Sequence, residues 1–107
     1  MMVDKYDTKM EYVGEVIIPA LAKAFERGDK KYTGKQHYLH PRIISRHPSE
    51  DVRHVRDCHV GVRLREAEDA ADGEDLNLSL EKIESAIGFL VILHMRVNDR
   101  KEAYEAK

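Results

Sequence analysis

Two pairs of acidic residues, each with a spacing of three, carry the clearest chemical signal in the sequence. Glu66 and Asp69 form the first pair, and Glu81 and Glu84 form the second. Residues three apart on an α-helix lie on one side of that helix. If the pairs lie on consecutive helices joined by a short turn, an antiparallel hairpin would bring all four carboxylates together. Four carboxylates in one place repel each other unless a cation joins them or some stay protonated.

A cluster of this kind is suited to magnesium. Mg²⁺ prefers oxygen ligands and commonly shares protein carboxylates with the phosphates of a substrate. Manganese is an alternative ion for the same ligands. The competing interpretation is that the four side chains are solvated, because a chain with 20 acidic residues produces such spacings by chance. The residues alone leave both interpretations open.

Three helices are predicted to position these residues, and the first begins near Thr8. Thr8 and Glu11 have the spacing of a capping box, and Gly28 is the predicted stop. Pro19 either kinks this helix or begins a second one, and the unbroken phase of the apolar stripe favours a kink. That stripe consists of Met10, Val13, Ile17, Leu21 and Phe25.

The other two helices lie in the second half of the chain. One is predicted over residues 49–72, with Ser49 as its N-cap and Gly73 as its stop. The last begins between residues 75 and 79 and continues to about Tyr104. Its strongest apolar stripe is Leu80, Ile83, Ile87, Leu90, Val91 and Met95.

The predicted fold class is therefore all-α, with residues 1–107 forming a single domain. It consists of a helical hairpin and an N-terminal helix, and a second copy would complete a helical bundle. Residues 29–48 are predicted as a basic loop, and residues 1–7 and 102–107 as frayed tails.

The second helix is predicted to be apolar on two sides. One stripe leads from valines into the first acidic pair: Val52, Val55, His59, Val62, Glu66 and Asp69. The other stripe lies roughly opposite: Val60, Leu64, Ala67 and Ala71. A helix with two apolar sides is usually covered on both, which indicates a central position in a bundle or a subunit interface.

Composition narrows the classes of function. The formal net charge of −2 argues against non-specific nucleic-acid binding through bulk positive charge. The single cysteine, Cys58, cannot form an internal disulfide, so a reducing, cytoplasmic setting is expected. No apolar run approaches the roughly 20 residues that span a bilayer, and no secretory signal is predicted.

Two stretches resemble a known family. Residues 64–71, a turn and then residues 80–90 resemble the all-α nucleotide pyrophosphohydrolases of the MazG type, which carry Glu-x-x-Glu on one helix and Glu-x-x-Asp on the next. Residues 19–32 are similar to the start of the phage-type dATP/dGTP diphosphohydrolase domains. The present sequence has the acids exchanged, with Glu66-x-x-Asp69 preceding Glu81-x-x-Glu84.

The resemblance implies magnesium-dependent hydrolysis of a nucleoside triphosphate to the monophosphate and pyrophosphate. Glu66, Asp69, Glu81 and Glu84 would hold the metal, and the base that activates water stays unassigned. Tyr32 or Tyr38 would contact the nucleobase. Five basic residues would bind the triphosphate, although each is also consistent with a solvated surface position: Lys30, Lys31, Lys35, Arg53 and Arg56.

Other classes of protein fit the same sequence. The main alternative is a non-enzymatic helical interaction protein, either a homodimer or a phage-type inhibitor of a host protein. A nucleotide-binding sponge without hydrolysis is a third class. DNA binding through Arg53, Arg56 and Arg63 is disfavoured because acidic residues interrupt the strip.

Overall fold

The computed structural model describes residues 7–31 and 47–105. These residues form three helices: α1 over residues 9–31, α2 over residues 48–72 and α3 over Leu76–Glu105. No strand occurs within the described ranges, so the prediction of an all-α fold with a hairpin and an N-terminal helix is confirmed. The predicted loop at 29–48 is partly wrong, because residues 29–31 still belong to α1 and residue 48 already belongs to α2. Residues 32–46 lie outside the described chain.

Helix α1 begins with the predicted cap. The backbone N–H of Glu11 donates to Thr8 Oγ1 at 3.1 Å. The helix consists of Lys9–Tyr12, a π-helical turn over Val13–Ile17 and an α-helical part over Ile18–Lys31. The π-helical turn ends at Ile17, two residues before Pro19. Pro19 has no backbone N–H, so the regular helical hydrogen bond is missing at this position. Because the helix continues to Lys31, the predicted stop at Gly28 is wrong.

Helix α2 begins earlier than predicted, and its N-cap is His47 rather than Ser49. Nδ1 of His47 accepts from the backbone N–H of Ser49 at 3.1 Å. Pro48 then takes the first helical position, where its missing N–H would have no helical partner. A π-helical turn over Arg56–Val60 separates the α-helical parts Pro48–Val55 and Gly61–Asp72.

The π-helical turn in α2 changes which residues face the rest of the chain. It adds a residue to one turn, and Arg63, four residues after His59, reaches the Phe89 ring of α3. Val52, which was predicted to be inward, is 43% exposed, whereas Val55 is 1% exposed. After the turn the buried residues are Ala67 and Ala70. The predicted continuation of the apolar stripe into Glu66 and Asp69 is therefore wrong.

A tight turn joins α2 to α3. The N–H of Glu74 donates to Ala71 O at 3.0 Å, and the N–H of Asp75 donates to Ala70 O at 2.8 Å. This is the Schellman arrangement, and its left-handed residue is Glu74 with φ 61° rather than the neighbouring Gly73. Asp75 Oδ1 then caps α3 by accepting from the N–H of Leu78 at 3.2 Å.

Helix α3 packs against both other helices, and it does so through small residues. Ser79 Oγ donates to Ala67 O on α2 at 2.9 Å. On another side, a Cβ added to Gly88 would lie 3.5 Å from the Phe25 ring of α1. Ser79, Ala86 and Gly88 are all buried. Small side chains let the backbones approach closely, so the contacts within the chain bury little apolar side-chain volume.

One buried ion pair joins the start of α2 to the second half of α3. Nη2 of Arg96 donates to Oδ1 of Asp51, and the two residues are 3% and 1% exposed. The pair links positions 45 residues apart in sequence. Removal of one member of a buried pair leaves the other charge desolvated without compensation.

Gly61 ends the π-helical turn of α2 and leaves no room for a side chain. Its N–H donates to Arg56 O, and an added Cβ would lie 2.7 Å from that oxygen. We expect Gly61→Ala to lower the free energy of unfolding by about 1–3 kcal/mol, because the backbone must shift. Gly14→Ala is the control in the π-helical turn of α1, since its added Cβ meets nothing within 4 Å. Gly14→Ala should stabilise by about 0.5–1 kcal/mol in urea titrations, as alanine usually does in a helix. Equal gains from both would contradict this account.

We expect Asp51→Ala to lower the free energy of unfolding by about 3–5 kcal/mol, because it leaves the Arg96 guanidinium buried without this carboxylate. Urea denaturation at one fixed protein concentration measures the change. Asp57→Ala is the control, because the Asp57 carboxylate is exposed and should contribute no measurable stability. The double variant Asp51→Leu/Arg96→Met should recover most of the loss, and a persistent loss would argue for strain instead.

Candidate functional site

The structure separates the four predicted metal-binding acids. Glu66 lies beside the α2–α3 contact, where Arg63 Nη1 is 3.3 Å and Lys82 Nζ is 3.6 Å from its Oε1. Two cations therefore already surround this half-exposed carboxylate, and no additional ion is needed to balance its charge. Asp69 is exposed one turn further along α2.

Glu81 and Glu84 lie on a different side of α3. Successive helical residues are about 100° apart, so the side that presents Ser79 and Lys82 to α2 turns these two acids towards α1. They line an open depression between the two helices, shared with Glu15, Lys23 and Arg27 of α1. The depression therefore combines three carboxylates with two cations.

Within residues 7–31 and 47–105, no group of three or more His, Cys, Asp and Glu side chains is placed to hold a metal ion. The hairpin exists as predicted, but its facing side carries Ala67, Ser79 and Ala86 rather than the acids. Metal binding by Glu66, Asp69, Glu81 and Glu84 stays a prediction.

Two of the predicted phosphate-binding residues, Arg53 and Arg56, lie on α2 away from the acids. Arg53 is exposed on α2. Arg56 is also exposed, and its Nε donates to Asp57 Oδ1 at 2.7 Å. This hydrogen bond holds the pKa of Asp57 below its usual value and raises the pKa of Arg56. Arg56 precedes Glu66 by ten residues, or about 15 Å along a helix.

Few residues of the predicted basic loop belong to the described chain. Lys30 and Lys31 are the last two residues of α1. Lys35, together with Tyr32 and Tyr38, belongs to residues 32–46 and lies outside the described chain. The predicted roles of these residues in binding phosphate or base therefore stay predictions.

The histidines of α2 form an aromatic contact rather than a ligand set. His59 is buried and stacks on Phe89 of α3, with ring centroids 4.6 Å apart. His54 meets His59 edge-on at 5.3 Å, and the Arg63 guanidinium lies 5.4 Å from the centre of the Phe89 ring. This stack gives the α2–α3 contact much of its aromatic packing. Cys58 is exposed beside it.

A third side of α3 carries an apolar row that the described chain leaves open. We call this row the α3 seam. Leu76, Leu80 and Leu90 within it are 64%, 50% and 48% exposed. Its members follow one another at alternate steps of four and three residues: Leu76, Leu80, Ile83, Ile87, Leu90, His94 and Val97. Such alternation is the heptad pattern by which one helix packs along another.

The sequence predicted most of these apolar residues as one stripe of α3 but did not indicate which side of α3 the chain itself would cover. The signal that could have indicated it was the second row on the same helix, in which Ser79 and Ala86 are small and still face α2. Such a helix packs closely against one neighbour through its small residues and leaves its large apolar residues for a second neighbour to cover.

Comparison of the chain with known families and proteins gives no match to any family model, any curated protein or any solved structure. The resemblance to the nucleotide pyrophosphohydrolases therefore stays a prediction from the residues. Across the described ranges, no helix is both long enough and apolar enough to cross a membrane.

Proposed function

We propose that this chain is a self-associating helical interaction protein, whose working surface is the α3 seam packed against the same seam of a second copy. The exposed heptad row along α3 is the observation that carries the proposal. It extends from Leu76 to Val97, which is about 32 Å of helix.

The small apolar core favours such an association. Among the described residues, the buried apolar side chains are Val55, Ala67, Ala70 and Ala86. Complete burial of one leucine or isoleucine side chain contributes about 1.5–3 kcal/mol. Covering the α3 seam would therefore add more apolar burial than the chain obtains from the three alanines of its own core.

The shape of the α3 seam favours a helix as its occupant. A row with alternate steps of four and three residues presents knobs to the holes of a facing helix of matching period. A second copy supplies such a helix with the same period and length. Two-fold symmetry then lets one surface bind itself, which is the commonest form of association in soluble proteins.

Glutamates in the α3 seam should produce a monomer. Wild-type protein should sediment with twice the chain mass of 12.4 kDa, and Leu80→Glu/Leu90→Glu should sediment with one chain mass. Because the variant loses two buried leucines per chain, its association constant should fall at least ~100-fold. Equilibrium sedimentation at several concentrations measures both species.

Met95→Glu is the matched control for these variants. Met95 lies on the same helix with 50% exposure, but it is one residue away from His94 and therefore points about 100° from the α3 seam. This variant should keep the dimer mass. Circular dichroism checks that every variant stays helical. A wild-type chain that remains monomeric at 100-fold the working concentration would overturn the proposal.

A magnesium-dependent nucleotide pyrophosphohydrolase is the second candidate, and the depression between α1 and α3 favours it. Glu81 and Glu84 there face Lys23 and Arg27, so carboxylates for a metal ion lie near cations for phosphate. This candidate would need ligands beyond those that the described chain brings together.

Release of pyrophosphate from a panel of nucleoside triphosphates with Mg²⁺ or Mn²⁺ tests the second candidate. If the depression is the site, Glu84→Gln should lower the rate at least ~100-fold, because it removes a charged metal ligand. Glu68→Gln should keep full activity, since Glu68 is exposed outside the depression. No pyrophosphate release from any nucleotide by the wild-type protein would remove this candidate.

A further inference from the structure

We infer that the two copies pack α3 antiparallel to α3, with the two-fold axis passing between Ile87 and Leu90. This inference rests on the proposed self-association and adds its direction and register. Three features of α3 and the preceding turn carry it: the distribution of acidic charge, the pairing of side chains along the α3 seam and the neighbours of His94.

The acidic charge at one end of α3 disfavours a parallel pair. Residues 66–80 contain six acidic side chains and no lysine or arginine. Five of them are exposed around the α2–α3 turn: Glu68, Asp69, Asp72, Glu74 and Asp75. Packed helices lie about 8–10 Å apart, so a parallel pair would place both acidic turns within about one Debye length.

An antiparallel pair separates these turns and places each near a segment of mixed charge instead of a second acidic turn. The acidic ends of the two copies would be more than about 30 Å apart along the helices. The segment beyond the α3 seam at its other end has mixed charge, with three acidic residues around its two cations, Arg100 and Lys101. In the inferred register they lie beside Asn77 and Leu76 of the second copy, close to its acidic turn.

In this register every residue of the α3 seam except Leu76 faces another residue of the seam. Leu80 faces Val97 of the second copy, and Ile87 faces Leu90 of the second copy. Each pair occurs twice by symmetry, and the Ile83–His94 layers lie between them, so the six layers from Leu80 to Val97 include no Asp, Glu, Lys or Arg. Such pairs of unlike positions are the normal layers of two antiparallel helices.

His94 also favours the antiparallel direction. A parallel pair in register would stack the two His94 rings on each other inside an apolar row. The antiparallel register places each His94 against Ile83 of the second copy, with Glu84 of that copy next to it. Glu84 is half-exposed and lies at the margin of the α3 seam, where its carboxylate can accept from the imidazole N–H.

Disulfide formation between engineered cysteines tests the direction of packing. Three variants are made with Cys58→Ser to remove the exposed native thiol: Leu80→Cys, Val97→Cys, and Leu80→Cys/Val97→Cys together. Positions 80 and 97 of one chain are about 26 Å apart, far beyond the ~7 Å between Cα atoms that a disulfide allows. Any bond between them therefore joins two chains.

We expect mild oxidation to convert most of the double variant to a covalent dimer and to leave both single variants almost entirely uncrosslinked. Efficient crosslinking of either single variant would show a parallel pair and overturn the inference. If the protein sediments as a dimer but none of the three variants crosslinks, the inferred register is overturned. A monomer by sedimentation would instead overturn the proposed self-association, so the two failures are distinguishable.

Discussion

The close approach of α2 and α3 is the constraint on which the structure depends. It requires small side chains on both helices, and Ala67 and Ala70 on α2 and Ser79 and Ala86 on α3 are all buried. The hydroxyl of Ser79 then reaches the backbone of α2, and the Schellman turn at Glu74 fixes the register between the helices. Further along, the His59–Phe89 stack and the buried Asp51–Arg96 pair continue the same contact.

This choice of small residues determines the surface of the chain. Because α3 uses Ser79, Ala86 and Gly88 for its contacts with α2 and α1, its large apolar residues remain on the third side. The same geometry turns Glu81 and Glu84 towards α1 and leaves Glu66 with Lys82. The exposed apolar row and the separated acids are therefore two results of one packing arrangement.

The sequence was sufficient for the helices but not for their orientation. The capping box at Thr8 and the end of α2 near Gly73 follow from local chemistry, because residues within five positions of each other determine them. The face of α2 could not be predicted from a period of 3.6 because the π-helical turn adds a residue after Val55. The acids were expected opposite each other because a short antiparallel hairpin places its two helices side by side, but the side of α3 that faces α2 carries Ser79 and Ala86 instead.

The distances in sequence between contacts suggest an order of assembly. The hydrogen bond from Ser79 to Ala67 closes a loop of 12 residues, whereas the contact of Phe25 with Gly88 closes one that extends from residue 25 to residue 88. Loop-closure entropy makes the longer connection more costly by about 1.5 kcal/mol. The α2–α3 hairpin can therefore form as an early kinetic unit, and α1 joins it in a later step. During that interval the hairpin already exposes its apolar row, so the self-association proposed above does not depend on prior docking of α1.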